Sequence, residues 1–152
     1  MPIFFGESYD PITLEDDEFL MVYGVNHVLT GKATYQNVNA YATGRDNGGS
    51  EPESGDNVVV GSVFDDELSG TAKVYLPDDP DANLMYAYKI SRNCAPGELR
   101  CLQLSAPCAR LTLDSKTVLG FYIRMYVEPA TKVGAAMPEI LYDRILKFSP
   151  RK

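Results

Sequence analysis

Tryptophan is absent from the 152 residues, histidine occurs once, and cysteine three times. A single histidine rules out any metal centre built on several imidazoles and leaves one imidazole, His27, for acid/base chemistry. Without tryptophan the chain also lacks the largest ring for stacking on sugars. No run approaches the roughly 18 apolar residues of a membrane-spanning helix. The opening MPIFFGESYD has no basic n-region, long apolar core or small-residue cleavage site, so it does not read as a signal peptide. No stretch is rich in Lys and Arg, and 14 basic against 21 acidic residues leave a net charge of -7. Nucleic-acid binding depends on cations that displace counterions from phosphates, so this balance disfavours nucleic acid and anionic membrane alike.

What is present suits one globular domain over residues 1–152. Apolar residues make up 45%, and a chain of this length buries enough surface to fold without a metal or disulfide. Phe19 to Val25 reads FLMVYGV, a strand apolar on both faces. Ala33 to Tyr41 reads as a second strand, with Asn26 to Lys32 as a hairpin link between them. Thr43 to Asn57, TGRDNGGSEPESGDN, is dominated by Gly, Ser, Asn and acids and is expected to be a mobile surface loop. Val58 to Phe64 is a short β-branched strand. Ser69 is expected to cap a short helix that Pro77 ends. Further strands are expected over Leu84 to Asn93, Arg100 to Leu104 (returning antiparallel), Val118 to Val127 and Ile140 to Phe148. The clearest signal is the alternation of Leu119, Phe121, Ile123, Met125 and Val127. With no long amphipathic helix to serve as a crossover, the fold class is all-β: an antiparallel β-sandwich or jelly-roll with one short helix.

Four groups of residues are candidates for chemistry. His27 sits at a strand end among Asn26, Lys32 and Tyr35, a setting for a general acid/base aided by those side chains. No nucleophile elbow accompanies it, and a lone histidine here also suits a bond to a loop carbonyl. Asp79, Asp81 and Asn83 in LPDDPDAN have the alternate spacing of calcium ligands. The following glycine and distal glutamate are missing, and Pro77 and Pro80 fit an ordinary acidic turn. No cofactor is therefore expected beyond this minor calcium reading. Cys94 and Cys101 flank the turn-like APGE; free thiols and a disulfide are both open, and metal is the weaker reading. Pairing would place the protein outside the cytoplasm, and reduced thiols inside it; Cys108 is left over either way. Last, Tyr122, Arg124 and Tyr126 share the face opposite the apolar one, and Tyr142 and Arg144 are expected to extend it. Tyr and Arg are the residues enriched at binding hot spots, though the same tyrosines suit a second packed layer.

The segments YGVNHVLTGKATYQNVNAY, YLPDDPDANLMYAYKISRNC and EPATKVGAAMPEILYDRILKF resemble a domain of larger, uncharacterised bacterial proteins. The resemblance implies a domain of fixed pattern, compatible with export, and transfers no activity. The expected function is a non-catalytic binding or assembly domain whose partner is protein, either a second copy or another chain, or carbohydrate. The alternative is a small-molecule enzyme using His27.

Overall fold

The computed structural model describes residues 11–48 and 53–151. Seven strands form two sheets. β1 (Phe19–Val25), β4 (Met85–Ser91), β5 (Cys101–Gln103) and β7 (Arg144–Phe148) make a four-stranded sheet in the order β5-β4-β1-β7. β2 (Gln36–Arg45), β3 (Glu53–Phe64) and β6 (Thr117–Met125) make a three-stranded sheet in the order β3-β2-β6. One short helix, α1 (Asp65–Leu68), follows β3. This is the expected β-rich sandwich. Among the described residues no helix is long and apolar enough to cross a membrane.

Period-two patterning decides which side of each strand faces the core. Leu20 and Val22 of β1, Val38, Ala40 and Ala42 of β2, Val60 and Val63 of β3, Tyr86 and Ile90 of β4 and Leu119 of β6 are buried together, with Leu14 and Leu68 closing the ends. The sheets meet along one side through β3 and β5. There Ser105 N–H donates to the Val60 carbonyl at 2.9 Å, and Gly61 lies so close to Leu102 that a Cβ would stand 3.0 Å from Leu102 Cδ2. On the other side Leu119 N–H donates to the Ile12 carbonyl.

Several local expectations change. Asn26 to Lys32 does not close a hairpin, since β1 pairs with β4 and β7 and β2 with β3 and β6. The link crosses from one sheet to the other. Asn26 Oδ1 accepts from Val28 and Leu29 N–H, and the His27 carbonyl accepts from Lys32 and Ala33 N–H, a turn built on side-chain and backbone caps that swings the chain out of the first sheet. The expected loop over residues 43–57 is shorter than its composition suggests. β2 continues to Arg45 and β3 begins at Glu53, because antiparallel pairing to β6 and β3 supplies the backbone bonds that these polar residues do not encode. Residues 49–52 lie outside the described residues. Ser69 ends α1 rather than starting a helix. Asp65, Asp66 and Glu67 occupy the first turn, and the Glu67 carboxylate accepts from Phe64 N–H, as the positive end of a helix favours. A 3-10 turn, Thr71–Val74, follows Gly70, whose φ is 69°. β7 begins only at Arg144, since a 3-10 turn over Met137–Glu139 precedes it.

β5 runs parallel to β4, with Lys89, Ile90 and Ser91 opposite Cys101, Leu102 and Gln103, whereas an antiparallel return was expected. Parallel neighbours ordinarily need a crossover of a dozen or more residues. Here residues 92–100 turn the chain twice. Gly97 and Arg100 adopt left-handed φ values of 75° and 58°, Lys89 Nζ and Glu98 pair at 2.8 Å, and Cys94 and Cys101 are disulfide-bonded with Cα atoms 6.0 Å apart. Cys108 is free and exposed. Thiol counting in denaturant without reductant should therefore find one reactive thiol per chain in protein folded under oxidising conditions; three would contradict the pairing. Removing the bridge with Cys94→Ala and Cys101→Ala should cost about 2–3 kcal/mol and leave the domain folded, because the closed loop is short. Urea unfolding reads this directly.

Candidate functional site

The outer face of the three-stranded sheet gathers the strongest set of recognition side chains. β2 reads Gln-Asn-Val-Asn-Ala-Tyr from Gln36. Val38 and Ala40 point to the core, so Asn37, Asn39 and Tyr41 point away from it. The register sets Asn37 between Phe64 and Arg124, Asn39 between Ser62 and Tyr122, and Tyr41 between Val59 and Gly120. The centre of the face is thus two amides followed by a ring, with Phe64 on one margin and Tyr122 and Arg124 on the other. Asn37 and Asn39 are buried at 6% and 5% exposure yet satisfied: Asn39 Nδ2 donates to Asn37 Oδ1 at 2.9 Å, and Ser62 Oγ donates to Asn39 Oδ1 at 2.8 Å. Phe64 and Tyr122 remain 46% and 41% exposed.

The β6 margin is organised as a row. Arg124 Nη2 donates to the Tyr41 hydroxyl at 2.8 Å. Tyr41 meets Tyr122 edge-on, with centroids 5.0 Å apart and planes at 83°. Beyond the end of β6, Tyr126 N–H donates to the Tyr35 carbonyl, and the two rings sit 5.1 Å apart. Tyr126 is 58% exposed. Tyr122, Arg124 and Tyr126 therefore do share a face, as their alternation indicates. Tyr142 and Arg144 do not join them. Arg144 lies in β7 of the other sheet, opposite Tyr23, and Tyr142 precedes that strand, its hydroxyl 3.7 Å from Met137 Sδ. Tyr41, Asn37, Asn39, Ser62 and Phe64 were not anticipated. The Asn-x-Asn-x-Tyr alternation from Asn37 carried the signal, masked by its reading as plain strand polarity.

His27, Lys32 and Tyr35 have separate partners. His27 is 3% exposed, and its Nε2 lies 3.3 Å from the Leu141 carbonyl. That oxygen can only accept, so Nε2 carries a hydrogen. Nδ1 is buried with no hydrogen-bond partner. Lys32 Nζ is held at 3.0 Å by both Glu128 and Glu139, and these bonds raise its pKa above the ordinary lysine value, which favours the protonated ammonium over the free amine that a general base needs. Tyr35 belongs to the aromatic row. The ring of His27 is packed and bonded to backbone, the arrangement of a structural histidine.

A second polar group lies beside it. Tyr86, fully buried in β4, donates its hydroxyl to Asp143 Oδ1. Desolvation is the main cause that lifts Asp143 to about 6, against the opposing pull of the Tyr86 bond and the nearby His27. Burial, with the Asp143 charge next, holds the Tyr86 hydroxyl far above its usual range. Gln36, fully buried, accepts from His27 N–H at 2.7 Å and donates to the Val25 carbonyl at 3.2 Å.

The remaining candidates have local uses. The Asp79 carboxylate accepts from Asp81 N–H at 2.8 Å and starts the 3-10 turn Pro80–Leu84, so Asp79 serves as its cap, and calcium rests on spacing alone. Cys94, Glu98 and Cys101 come close together, but the two sulfurs are bonded to each other. An apolar hollow of about 230 Å³ on the outer face of the four-stranded sheet is lined by residues including Met21, Tyr23, Tyr75, Leu76 and Met85. Its accessible lining is apolar. Compared with known proteins, the chain matches no family, no curated protein and no solved structure.

A Cβ on Gly24 would fall on the Asp143 carboxylate and stand 3.3 Å from the Tyr86 ring. Gly24→Ala should thus destabilise the fold by about 1–3 kcal/mol, the range of an overpacked site. The loss should shrink when Asp143→Ala is made with it. Urea unfolding of the two single variants and the double variant checks this; additive losses would contradict the contact.

Proposed function

We propose that this chain is a non-catalytic binding or assembly domain whose ligand surface is the outer face of the three-stranded sheet. The observation that carries the reading is the Arg124–Tyr41–Tyr122 contact set. A guanidinium and two rings are held in place before any ligand arrives, so little side-chain freedom remains to be lost on binding. Exposed Tyr122, Tyr126 and Phe64 supply apolar area, and Arg124 supplies a charged fork on a chain of net charge -7. Such a face suits a protein partner, including a second copy, or a carbohydrate. The Cys94–Cys101 disulfide favours an oxidising, extracytoplasmic setting.

Tyr126→Ala and Arg124→Ala should each weaken self-association or glycan retention by at least about fivefold, the roughly 1 kcal/mol that marks a contributing interface side chain, with the far-UV spectrum unchanged. Sedimentation velocity and a glycan array read the two arms. Unchanged behaviour of both variants in both assays would remove this face from the function.

A further inference from the structure

The turn between β4 and β5 is held by more than its disulfide. Lys89 of β4 stands opposite Cys101 of β5, and Lys89 N–H donates to the Arg100 carbonyl at 3.0 Å, so strand pairing fixes the backbone of Cys101. Cys94 N–H donates to Gln103 Oε1 at 3.3 Å, and Glu98 N–H donates to the Ala95 carbonyl at 2.9 Å. Gly97 and Arg100, both left-handed, bring the chain back between them. None of these ties uses the S–S bond. The two cysteine Cα atoms, 6.0 Å apart, are therefore kept close by the rest of the turn when the sulfurs are reduced.

Glu98 is drawn to the same point. The two sulfurs and a Glu98 carboxylate oxygen all lie within 4.8 Å of one another. Ligands of a tetrahedral zinc, about 2.0–2.3 Å from the ion, stand roughly 3.5–3.8 Å apart, so small side-chain rotations would close these three atoms on one. The carboxylate is oriented in advance: Ala95 N–H donates to Oε2 at 2.9 Å and Lys89 Nζ to Oε1 at 2.8 Å, as outer partners orient metal ligands. Two thiolates and a carboxylate bring three negative charges against the two of a divalent cation, and the paired Lys89 ammonium answers the one left over. All three residues are half-buried, open enough for an ion or a reductant to reach. We propose that this turn is a redox-gated site for a zinc-class divalent cation, held by Cys94, Cys101 and Glu98 in the reduced protein and expelled when the disulfide forms.

The chemistry balances with a thiol or phosphine as reductant. Two electrons enter the S–S bond and two protons complete the thiols. The ion displaces both protons and keeps its own charge, since thiolate is the ligand form. Thiolates favour a zinc-class ion over calcium or magnesium, and the carboxylate suits it as a third ligand, with water in the fourth position. Oxidation by a small disulfide takes two electrons from the thiolates, re-forms the S–S bond, yields two thiols with protons from solvent, and frees the dication. The site lies on the four-stranded sheet, away from the aromatic row of the other sheet, so it stands or falls independently of that face.

Anaerobic titration with cobalt(II) tests this in full-length protein carrying Cys108→Ser, which removes the exposed third thiol. After phosphine reduction, a thiolate-to-cobalt charge-transfer band should grow in the near ultraviolet and saturate at one ion per chain, and zinc should displace it. The oxidised protein should give no band. Glu98→Gln, with its far-UV spectrum unchanged, should weaken cobalt binding at least about tenfold. Oxidised glutathione added to the zinc-loaded protein should release the zinc to a chromogenic chelator. No band after reduction, equal binding by the oxidised protein, or zinc retained beside a formed disulfide would each overturn the proposal. Unchanged affinity in Glu98→Gln would overturn it too, by showing a bare dithiol. Should Glu98→Gln fail to fold, the reduced Cys108→Ser chain is compared folded and in urea: at least about tenfold tighter binding when folded supports the built site, and equal binding overturns it.

Discussion

The Asp143 carboxyl is drawn against the fully buried Tyr86 hydroxyl, and desolvating a carboxylate is expensive unless neighbours answer it. Three strands meet around it. β1 contributes Gly24, where any side chain would collide with the carboxylate. β4 contributes the Tyr86 donor. β2 contributes Gln36, whose amide spans the backbone of Val25 and His27 and so holds the link between the sheets in its crossing geometry. The His27 carbonyl then accepts two N–H groups of the same turn. One end of the sandwich is thus organised by polar satisfaction, the other by the apolar contact of β3 with β5.

The two outer faces differ in kind. On the three-stranded sheet the central strand sends amides outward, and they are satisfied among themselves, so the aromatic margins rest on a floor with few free polar groups. On the four-stranded sheet Phe19 and Phe148 stack with centroids 4.8 Å apart and planes at 8°, and Lys89 Nζ lies 4.9 Å above the Phe19 ring. Leu146 and Phe148 stay 49% and 43% exposed there. This second face is apolar because β1, FLMVYGV, is apolar at every position but glycine, and the 3-10 turn Thr71–Val74 covers only part of it.

The β class and the inward face of β6 could be read from residues alone, because each depends on alternation; the short spacing of Cys94 and Cys101 made their pairing possible without deciding it. Partner choice could not. β1 and β2 are adjacent in sequence and lie in different sheets, and the Asn26 cap that separates them looks the same as a hairpin turn. The direction of β5 was hidden for a similar reason: a left-handed Arg100 has no compositional mark, and it helps to send the chain back parallel. Of the residues on the outer face of the three-stranded sheet, Tyr122, Arg124 and Tyr126 were visible on one strand. Tyr41 and the asparagines became visible only through register. Asp143 read as one more strand acid, since nothing local shows that Tyr86 and Gly24 will surround it.

β1 ends up flanked on both sides, by β4 and by β7, but the two partners arrive at very different times as the chain is made. β4 follows β1 after some sixty residues, and β7 only near residue 144. During synthesis β1 therefore has a bare edge, with Phe19, Met21 and Tyr23 on one face, until Arg144–Phe148 has emerged. Exposed edges of this kind are the usual template for wrong pairing between chains. The last five-residue strand covers the long apolar edge of β1 and leaves in its place a shorter edge that carries Arg144 and Lys147, charges of the kind that discourage strand addition.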